Sequence, residues 1–499
     1  MNFNTNNVNY FCEIVSLADI IFVSISLIIV ILFGSMISFG SVEKKQGFFS
    51  SNEITKIRIS QPSFILFLWT LVILFFLKVT FVNDAKVENN FFYYSNQVSL
   101  TGLILIVFFF IFGLISFSFF KKNSQLSFEF ILLLFFLLLS MLILVQSSDL
   151  FVWFLTLELQ SFALYSLAGY RSSKSFLASE GALKYFIFGS LASSFFIFGL
   201  SILYLNTATV NYEELLALSY FNPEFSFFLG IFFILISLFF KLGVAPFHVW
   251  LPEVYHSVSH IVTFLFILIP KIPLLHILFV FSSFNHLEIF NKFYIVCTFM
   301  SLFVGGFLAL NQTNYKKFMA FSSIFNNSFF ITALLLHSSF SYFSMYSYLI
   351  SYQILLVILF VPFLFLRRLD YSLIFLNLRD LVLLKKTNPL MSLLFSFGLF
   401  SLAGIPPFIG FFPKFFLFVA VADRNYNFIL ISLIIFSILS CYYYLRLIKI
   451  IFFAKKLFIV ASKSIPKEIA ILFMVMNSIN ILFFFYPSIY FVFIYIMSL

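Results

Sequence analysis

FKLGVAPFHVWLPEVYHSVSHIVTFLFILIPK, residues 240–271, is the stretch whose reading decides the fold. Lys241 and Lys271 stand inside otherwise apolar segments, each within a few residues of a proline. A charged group at the bilayer centre costs about 2.5–3.5 kcal/mol on insertion scales, so an intramembrane lysine is a functional candidate by default. Pro246 has no N–H and leaves the Leu242 carbonyl without its helical partner. Broken backbone at membrane depth is tolerated only where it is buried in protein or lines a wet cavity. A buried lysine beside a freed carbonyl implies a polar path through a membrane.

The rest of the chain supplies that membrane setting. Of 499 residues, 62% are hydrophobic and only 10% charged, with 84 phenylalanines; mean hydropathy is +1.10. No soluble domain has this composition, and the chain reads as an all-α polytopic membrane protein. Enrichment in Phe, Ile, Leu, Tyr and Asn over Ala and Gly matches an AT-rich, organelle-encoded source. The net charge of +10 lies mostly in loops and needs no nucleic-acid partner. Cys12, Cys297 and Cys441 are scattered and form no metal or redox spacing. The first apolar run reads as a retained helix, not a cleaved signal.

Hydrophobic runs of spanning length number about fourteen. They are predicted at 18–39, 63–83, 99–120, 128–147, 149–170, 182–205, 226–252, 259–282, 292–310, 318–336, 342–366, 390–421, 427–452 and 469–492. The seventh contains Pro246 and the twelfth Pro406 and Pro407. Both are predicted to break at mid-membrane, near Leu242–Ala245 and Leu402–Pro406. They lie five spans apart, as in two inverted five-helix repeats with broken helices 7 and 12.

Loop charge supports the count. Loops after odd-numbered spans hold Lys44, Lys45, Lys56, Arg58, Lys121, Lys122, Arg171, Lys174, Lys316, Lys317, Arg367, Arg368, Arg379, Lys385, Lys386, Lys455, Lys456, Lys463 and Lys467. Loops after even-numbered spans hold only Lys86, Lys292 and Arg424, and neither tail carries a Lys or Arg. This alternation follows the positive-inside rule and predicts both termini on the side opposite the basic loops. Arg446, Lys449 and Lys78 fall near span ends and are expected to snorkel.

Lys184, Lys241, Lys271 and Lys414 remain within spans, with Glu158 as the acid at mid-span. A proton path needs groups that gain and lose a proton, and a desolvated lysine suits that task. Glu158 and Lys184 fit a modulating pair, while Lys241, Lys271 and Lys414 fit relay stations. For any single lysine a structural ion pair competes with this reading. The recurrence of four lysines and a glutamate, several beside helix breaks, favours the relay. His248, two residues beyond Pro246, fits either a proton carrier or a hydrogen-bonded structural histidine. His256 and His260 have the i, i+4 spacing of a metal pair but lack a third ligand, and read as loop residues. No Gly-rich phosphate loop or nucleophile elbow is present, so no bond-making site is expected.

Several motifs resemble the antiporter-like membrane subunits of respiratory complex I, and within them the chain 2 family. They are LELQSFALYSLAGY (157–170), EGALKYFIFGSLASSFFIFGLSILY (180–204), FKLGVAPFHVWLPEVY (240–255), LALNQTNYKKFMAFSSI (308–324), SLAGIPPFIGFFPKF (401–415) and YYYLRL (442–447). The resemblance covers roughly residues 150–450; the first three spans match only in hydrophobic character. It implies that Glu158 is the fifth-helix glutamate, Lys184 the sixth-helix lysine, Lys241 the lysine of broken helix 7, Lys271 the eighth-helix lysine and Lys414 the twelfth-helix lysine. Pro246, Pro406, Pro407 and His248 would support them. A lysine at 414 favours the chain 2 or chain 4 branches over chain 5. Ser259 and Ile261 replace the prolines of the family's usual Ala-Pro-x-Pro-Val turn, so the entry to helix 8 is expected to be built differently.

The implied organisation is N-terminal helices in 1–148, a first antiporter-like half in 149–282, a second in 283–453, and a C-terminal loop and helix in 454–499. The implied function is a proton-translocating subunit of NADH:ubiquinone reductase. It would hold no cofactor of its own, with FMN, iron–sulfur clusters and ubiquinone in partner subunits. The implied partners are other membrane-arm subunits, including neighbouring antiporter-like ones, together with lipids and supercomplex components. The implied location is the mitochondrial inner membrane, with basic loops in the matrix and both termini toward the intermembrane space. A cation/proton antiporter subunit is the alternative, disfavoured by PFHVWLPEVY and PPFIGFFPKF. A non-pumping scaffold is disfavoured because a passive bundle has little reason to keep buried charge.

Overall fold

The computed structural model describes residues 17–42, 51–80, 87–88, 92–123, 127–170, 176–220, 225–286, 288–365, 377–453 and 465–483, with a few positions up to 492. Of residues 35–42 and 51–60 it describes the backbone only. Several basic loop residues (Lys44, Lys45, Lys86, Arg171, Lys174, Arg367, Arg368, Lys455, Lys456 and Lys463) and Cys12 lie outside the described residues, as do both tails.

Eleven helices among the described residues are long and apolar enough to cross a membrane. Shorter helices stand at the first, twelfth and fourteenth positions: Ala18–Val42, of which Ala18–Gly34 is the apolar part, Pro389–Ala403, and Lys467–Leu482. Each expected span therefore has its helix. The chain divides into two compact units, residues 1–234 and 235–499.

In the first unit, short backbone bridges join loops that the count puts on one side. Phe92 pairs with Ser147, and Asp149 with Asn211, linking the loops after the second, fourth and sixth spans. In the second unit Asn314 pairs with Asn377, linking the loops after the ninth and eleventh. A miscounted span would have put one of these partners at the opposite ends of its helices.

Lys78 does not snorkel. It is buried in an ion pair with Asp19 at 2.7 Å, and Gln146 Nε2 donates to the same carboxylate oxygen at 2.7 Å. The pair ties the second span (Ser51–Thr80) to the first, and Gln146 ties in the fourth (Phe128–Gln146). A buried ammonium with a carboxylate in reach has less to gain from stretching to the surface than from pairing.

In the second unit the tenth span (Tyr315–Leu336) is entirely enclosed, and the eleventh (Ser339–Phe365) and eighth (residues 260–285) nearly so. Enclosure explains how the tenth can carry Ser322, Ser323, Asn326 and Asn327 at mid-length without exposing them to lipid.

Candidate functional site

Both predicted breaks are present and share one construction. The seventh span runs as Phe225–Leu242 and resumes as Trp250–Ser257. The twelfth runs as Pro389–Ala403 and resumes as Phe411–Asp423. At the first break Gly243 takes φ +73°; its N–H donates to the Phe240 carbonyl and that of Val244 to Phe239, both at 3.0 Å. At the second Gly404 takes φ +82°; its N–H donates to Ser401 at 3.0 Å and that of Ile405 to Phe400 at 3.2 Å. This is the Schellman ending, in which a left-handed residue, best a glycine, follows the last helical one. Three residues beyond each glycine comes a proline on a cis peptide bond, Ala245–Pro246 and Pro406–Pro407.

The carbonyls that Pro246 and Pro406 deprive of a helical donor are those of Leu242 and Leu402. Each is met by a buried polar side chain. Asn327 Nδ2 donates to Leu242 O at 2.8 Å, and Lys414 Nζ donates to Leu402 O at 2.6 Å. Asn327 is also the acceptor for Lys271, whose Nζ donates to Oδ1 at 2.9 Å. One amide on the tenth span thus joins the lysine of the eighth to the break of the seventh. Its orientation is fixed by its neighbours, since the ammonium only donates and the carbonyl only accepts.

The eighth span has an interruption that the sequence reading did not predict. It runs as His260–Leu268 and resumes as Lys271–Phe281. Pro270 withholds a donor from Phe266 and Pro273 from Ile269; the latter carbonyl accepts from Ile272 at 3.1 Å instead. Lys241, Lys271 and Lys414 therefore all stand at the ends of half-helices, where backbone groups are open to side chains.

Between Lys271 and Lys414 lies a buried aromatic and amide cluster. Lys271 Nζ sits 5.2 Å from the centre of the Tyr352 ring, and Lys414 Nζ 5.6 Å from that of Phe329. Tyr348 stacks on Tyr352, leans on Phe329, and donates its hydroxyl to Asn326 Oδ1 at 2.7 Å. Tyr444 faces Tyr443, Asn326 and Ser322. The hydroxyls of Tyr352, Tyr443 and Tyr444, with Asn326 Nδ2 and Gln353 Oε1, are buried without a well-formed protein partner. Groups of this kind are normally satisfied by ordered water.

In the first unit Glu158 lies half-buried on the fifth span (Leu150–Ala168). Lys184, on the sixth (Phe176–Thr207), pairs at 2.8 Å with Glu180 four residues earlier. Lys241 is half-buried, and His248 Nδ1 lies 3.2 Å from the Pro246 carbonyl.

His256 and His260 are not loop residues. His256 closes the helix Trp250–Ser257 and His260 opens the next, with Val258 and Ser259 between. Because they sit on separate helices, their i, i+4 spacing does not put them on one face. Among the described residues no three His, Cys, Asp or Glu side chains are grouped to hold a metal. The altered turn ahead of helix 8 is held instead by Lys316, which is buried and donates to the carbonyls of Val258 and His256. Lys316, Asn326 and Asn327 were missed as site residues. In the sequence Lys316 falls in a loop between apolar runs and the asparagines carry no charge; an Asn-Asn pair inside an apolar span is the available signal.

Residues 147–440 match the family described as NADH:quinone oxidoreductase/Mrp antiporter, transmembrane. NADH-quinone oxidoreductase subunit N of Paramagnetospirillum magneticum is 35% identical over 65% of this chain and 68% of its own length. NADH-ubiquinone oxidoreductase chain 2 of Marchantia polymorpha is 32% identical over 74% of this chain and 76% of its own. Among solved structures, a chain of respiratory complex I from Thermus thermophilus has a TM-score of 0.78 at 21% identity, covering 95% of this chain and 98% of that one. A chain of the Mrp complex from a Dietzia species has a TM-score of 0.80 at 17% identity, covering 97% of each.

Proposed function

This chain belongs to the NADH:quinone oxidoreductase/Mrp antiporter membrane family, in the branch of subunit N and chain 2, and from that premise we propose that it translocates protons as a core membrane subunit of complex I. The observation that carries the reading is the pair of capped breaks: Lys271 through Asn327 to Leu242 O, and Lys414 to Leu402 O. A buried lysine whose partner is a neutral carbonyl or amide can give up its proton without stranding a buried carboxylate. Protons pass along Lys241, Lys271 and Lys414, with the tyrosine and amide cluster as the wet segment between the last two. Pro246, Pro406, Pro407 and His248 shape the breaks. Glu158 and Lys184 act as the modulating pair, with Glu180 competing for the same ammonium.

Each charge crossing the membrane costs about 2.3 kcal/mol per 100 mV, so the work comes from quinone reduction in partner subunits that hold the FMN and iron–sulfur clusters. The partners are other membrane-arm subunits, lipids and supercomplex components. The setting is the mitochondrial inner membrane, with the basic loops in the matrix and the termini opposite. Relatives at 30–35% identity are named for NADH–quinone oxidoreductases, which favours this reading over a free-standing cation/proton antiporter.

The test is made on the whole complex in proteoliposomes. Lys241→Ala and Glu158→Gln are expected to assemble, and to depress proton uptake and quinone reduction together. Lys241→Arg should rescue only in part, because arginine holds its proton at any accessible pH. Normal pumping rate and ratio in Lys241→Ala would defeat the relay role of that lysine. Failure of the chain to co-purify with NADH dehydrogenase activity would defeat the assignment to complex I.

A further inference from the structure

The lysine relay leaves a second string of polar side chains unused. It begins at His276, buried on the second half of the eighth span, five residues or about 7.5 Å of helical rise from Lys271. The Tyr346 hydroxyl lies 3.5 Å from His276 Nδ1. One turn back on the eleventh span, the Tyr342 hydroxyl lies 3.1 Å from Ser282 Oγ and in direct contact with His337 Nδ1. His337 is exposed, in a left-handed conformation after the tenth span. Ser282 and His337 both lie at the side carrying the loops that follow even-numbered spans. There Asn285 Nδ2 fastens the end of the eighth span to the Leu334 carbonyl of the tenth at 2.7 Å.

Phe279 separates the inner pair from the outer trio. Its ring centre is 6.4 Å from that of His276 and 5.8 Å from that of Tyr346 on one side, and it meets Tyr342 edge-on at 4.3 Å on the other. Tyr342 and Tyr346 are four residues apart, so both hydroxyls come from one face of the helix. Imidazole, phenol and aliphatic hydroxyl can each take up one proton and pass one on, whereas a capping amide such as Asn327 accepts at its oxygen and donates from its nitrogen without relaying a proton. A histidine inside a span is expensive to keep and is found where it serves a path or a pair.

We propose that His276, Tyr346, Tyr342, Ser282 and His337 form a proton half-channel between Lys271 and the side of the even-numbered loops, with Phe279 as its gate. The proposal rests on the reading of the chain as a proton translocator. In outward transfer the Lys271 ammonium loses one proton through water to a His276 ring nitrogen, leaving a neutral amine and an imidazolium. When the Phe279 ring swings aside, water joins the two segments and His276 returns to neutral. The Tyr346 and Tyr342 hydroxyls each take one proton and pass one on, while Ser282, whose hydroxyl donates to the Phe279 carbonyl at 2.6 Å, holds the Tyr342 hydroxyl in place. His337 receives the proton and releases it to solvent.

The whole complex carrying Tyr342→Phe or His276→Gln, reconstituted in proteoliposomes, tests this. Tyr342→Phe keeps the ring against Phe279 and removes only the hydroxyl, so it carries the test even if His276→Gln fails to assemble. Coupled proton uptake should fall about a hundredfold, the lower end of what a positioned proton-transfer group contributes. The solvent deuterium isotope effect on uptake should rise, which a merely structural role would not cause. Parental rate and isotope effect in Tyr342→Phe, with Lys271→Ala inactive, would overturn the half-channel and leave the relay standing. Parental rates in Lys271→Ala would overturn the relay beneath it.

Discussion

Lys414 Nζ lies 2.6 Å from the Leu402 carbonyl, closing from within one chain segment the break that Pro406 opens. At the corresponding carbonyl of the seventh span, Leu242, the closing group is Asn327, and a lysine stands behind it. The two breaks share a backbone ending and differ in how their lysine reaches the open carbonyl. Lys414 touches it directly, whereas Lys271 acts through an amide. Lys414→Met should therefore strand a buried carbonyl at a cost of about 1–3 kcal/mol. The melting temperature of the assembled complex is expected to fall and turnover to be lost. An unchanged melting temperature would mean that another group reaches Leu402.

Asn327 positions two partners, so its removal should be felt twice. Asn327→Leu keeps the branched shape, though not the volume, and leaves both the Leu242 carbonyl and Lys271 without their present partner. Turnover should drop as steeply as in Lys271→Ala, while Asn327→Asp, which pairs with the ammonium but cannot donate to Leu242, should recover stability more than rate. Steady-state turnover set beside thermal melting separates the two effects.

The two left-handed glycines should resist substitution. A Cβ on Gly404 would lie 3.3 Å from Lys414 Cδ, and a left-handed conformation costs an L-residue roughly 1–2 kcal/mol. Gly404→Ala is expected to leave a complex that assembles but pumps slowly, because the added methyl presses on the lysine stem. A parental pumping rate in Gly404→Ala would show that Lys414 tolerates the shift.

In the N-terminal unit, the buried Asp19–Lys78 pair predicts a non-additive cycle. Removing one partner leaves an uncompensated buried charge, at a cost of about 3–5 kcal/mol. Asp19→Leu or Lys78→Met alone should cut assembly of the complex, and the double variant should recover most of it. Additive losses in the double variant would indicate that the charges act separately.

The breaks were legible because their cause is local. The missing N–H of Pro246 and of Pro406 names the carbonyl abandoned four residues earlier, and the glycine three and two residues before them, respectively, supplies the left-handed turn. What caps those carbonyls was not legible: Asn327 is 85 residues from Leu242 and carries no charge to draw notice. The interruption at Ile269–Pro270 is hidden in the sequence despite Pro270 and Pro273, because the apolar run continues through it at spanning length. The place of Lys78 near a span end is legible, whereas its ion pair with Asp19 depends on how the first two spans pack. Lys184 stands out in the sequence as an intramembrane lysine, whereas its partner Glu180, one turn away, falls outside the apolar run. His276, Tyr342 and His337 formed no motif, and only the packing of the eighth, tenth and eleventh spans brings them together.

On the proposed relay, protons cross by way of Lys271, held at a helix break by Asn327. This route is tested most directly by proton uptake measured against NADH oxidation in proteoliposomes holding the assembled Lys271→Ala complex. Uptake and coupled oxidation should collapse together while the complex remains intact. Proton uptake at the parental rate and ratio would contradict it.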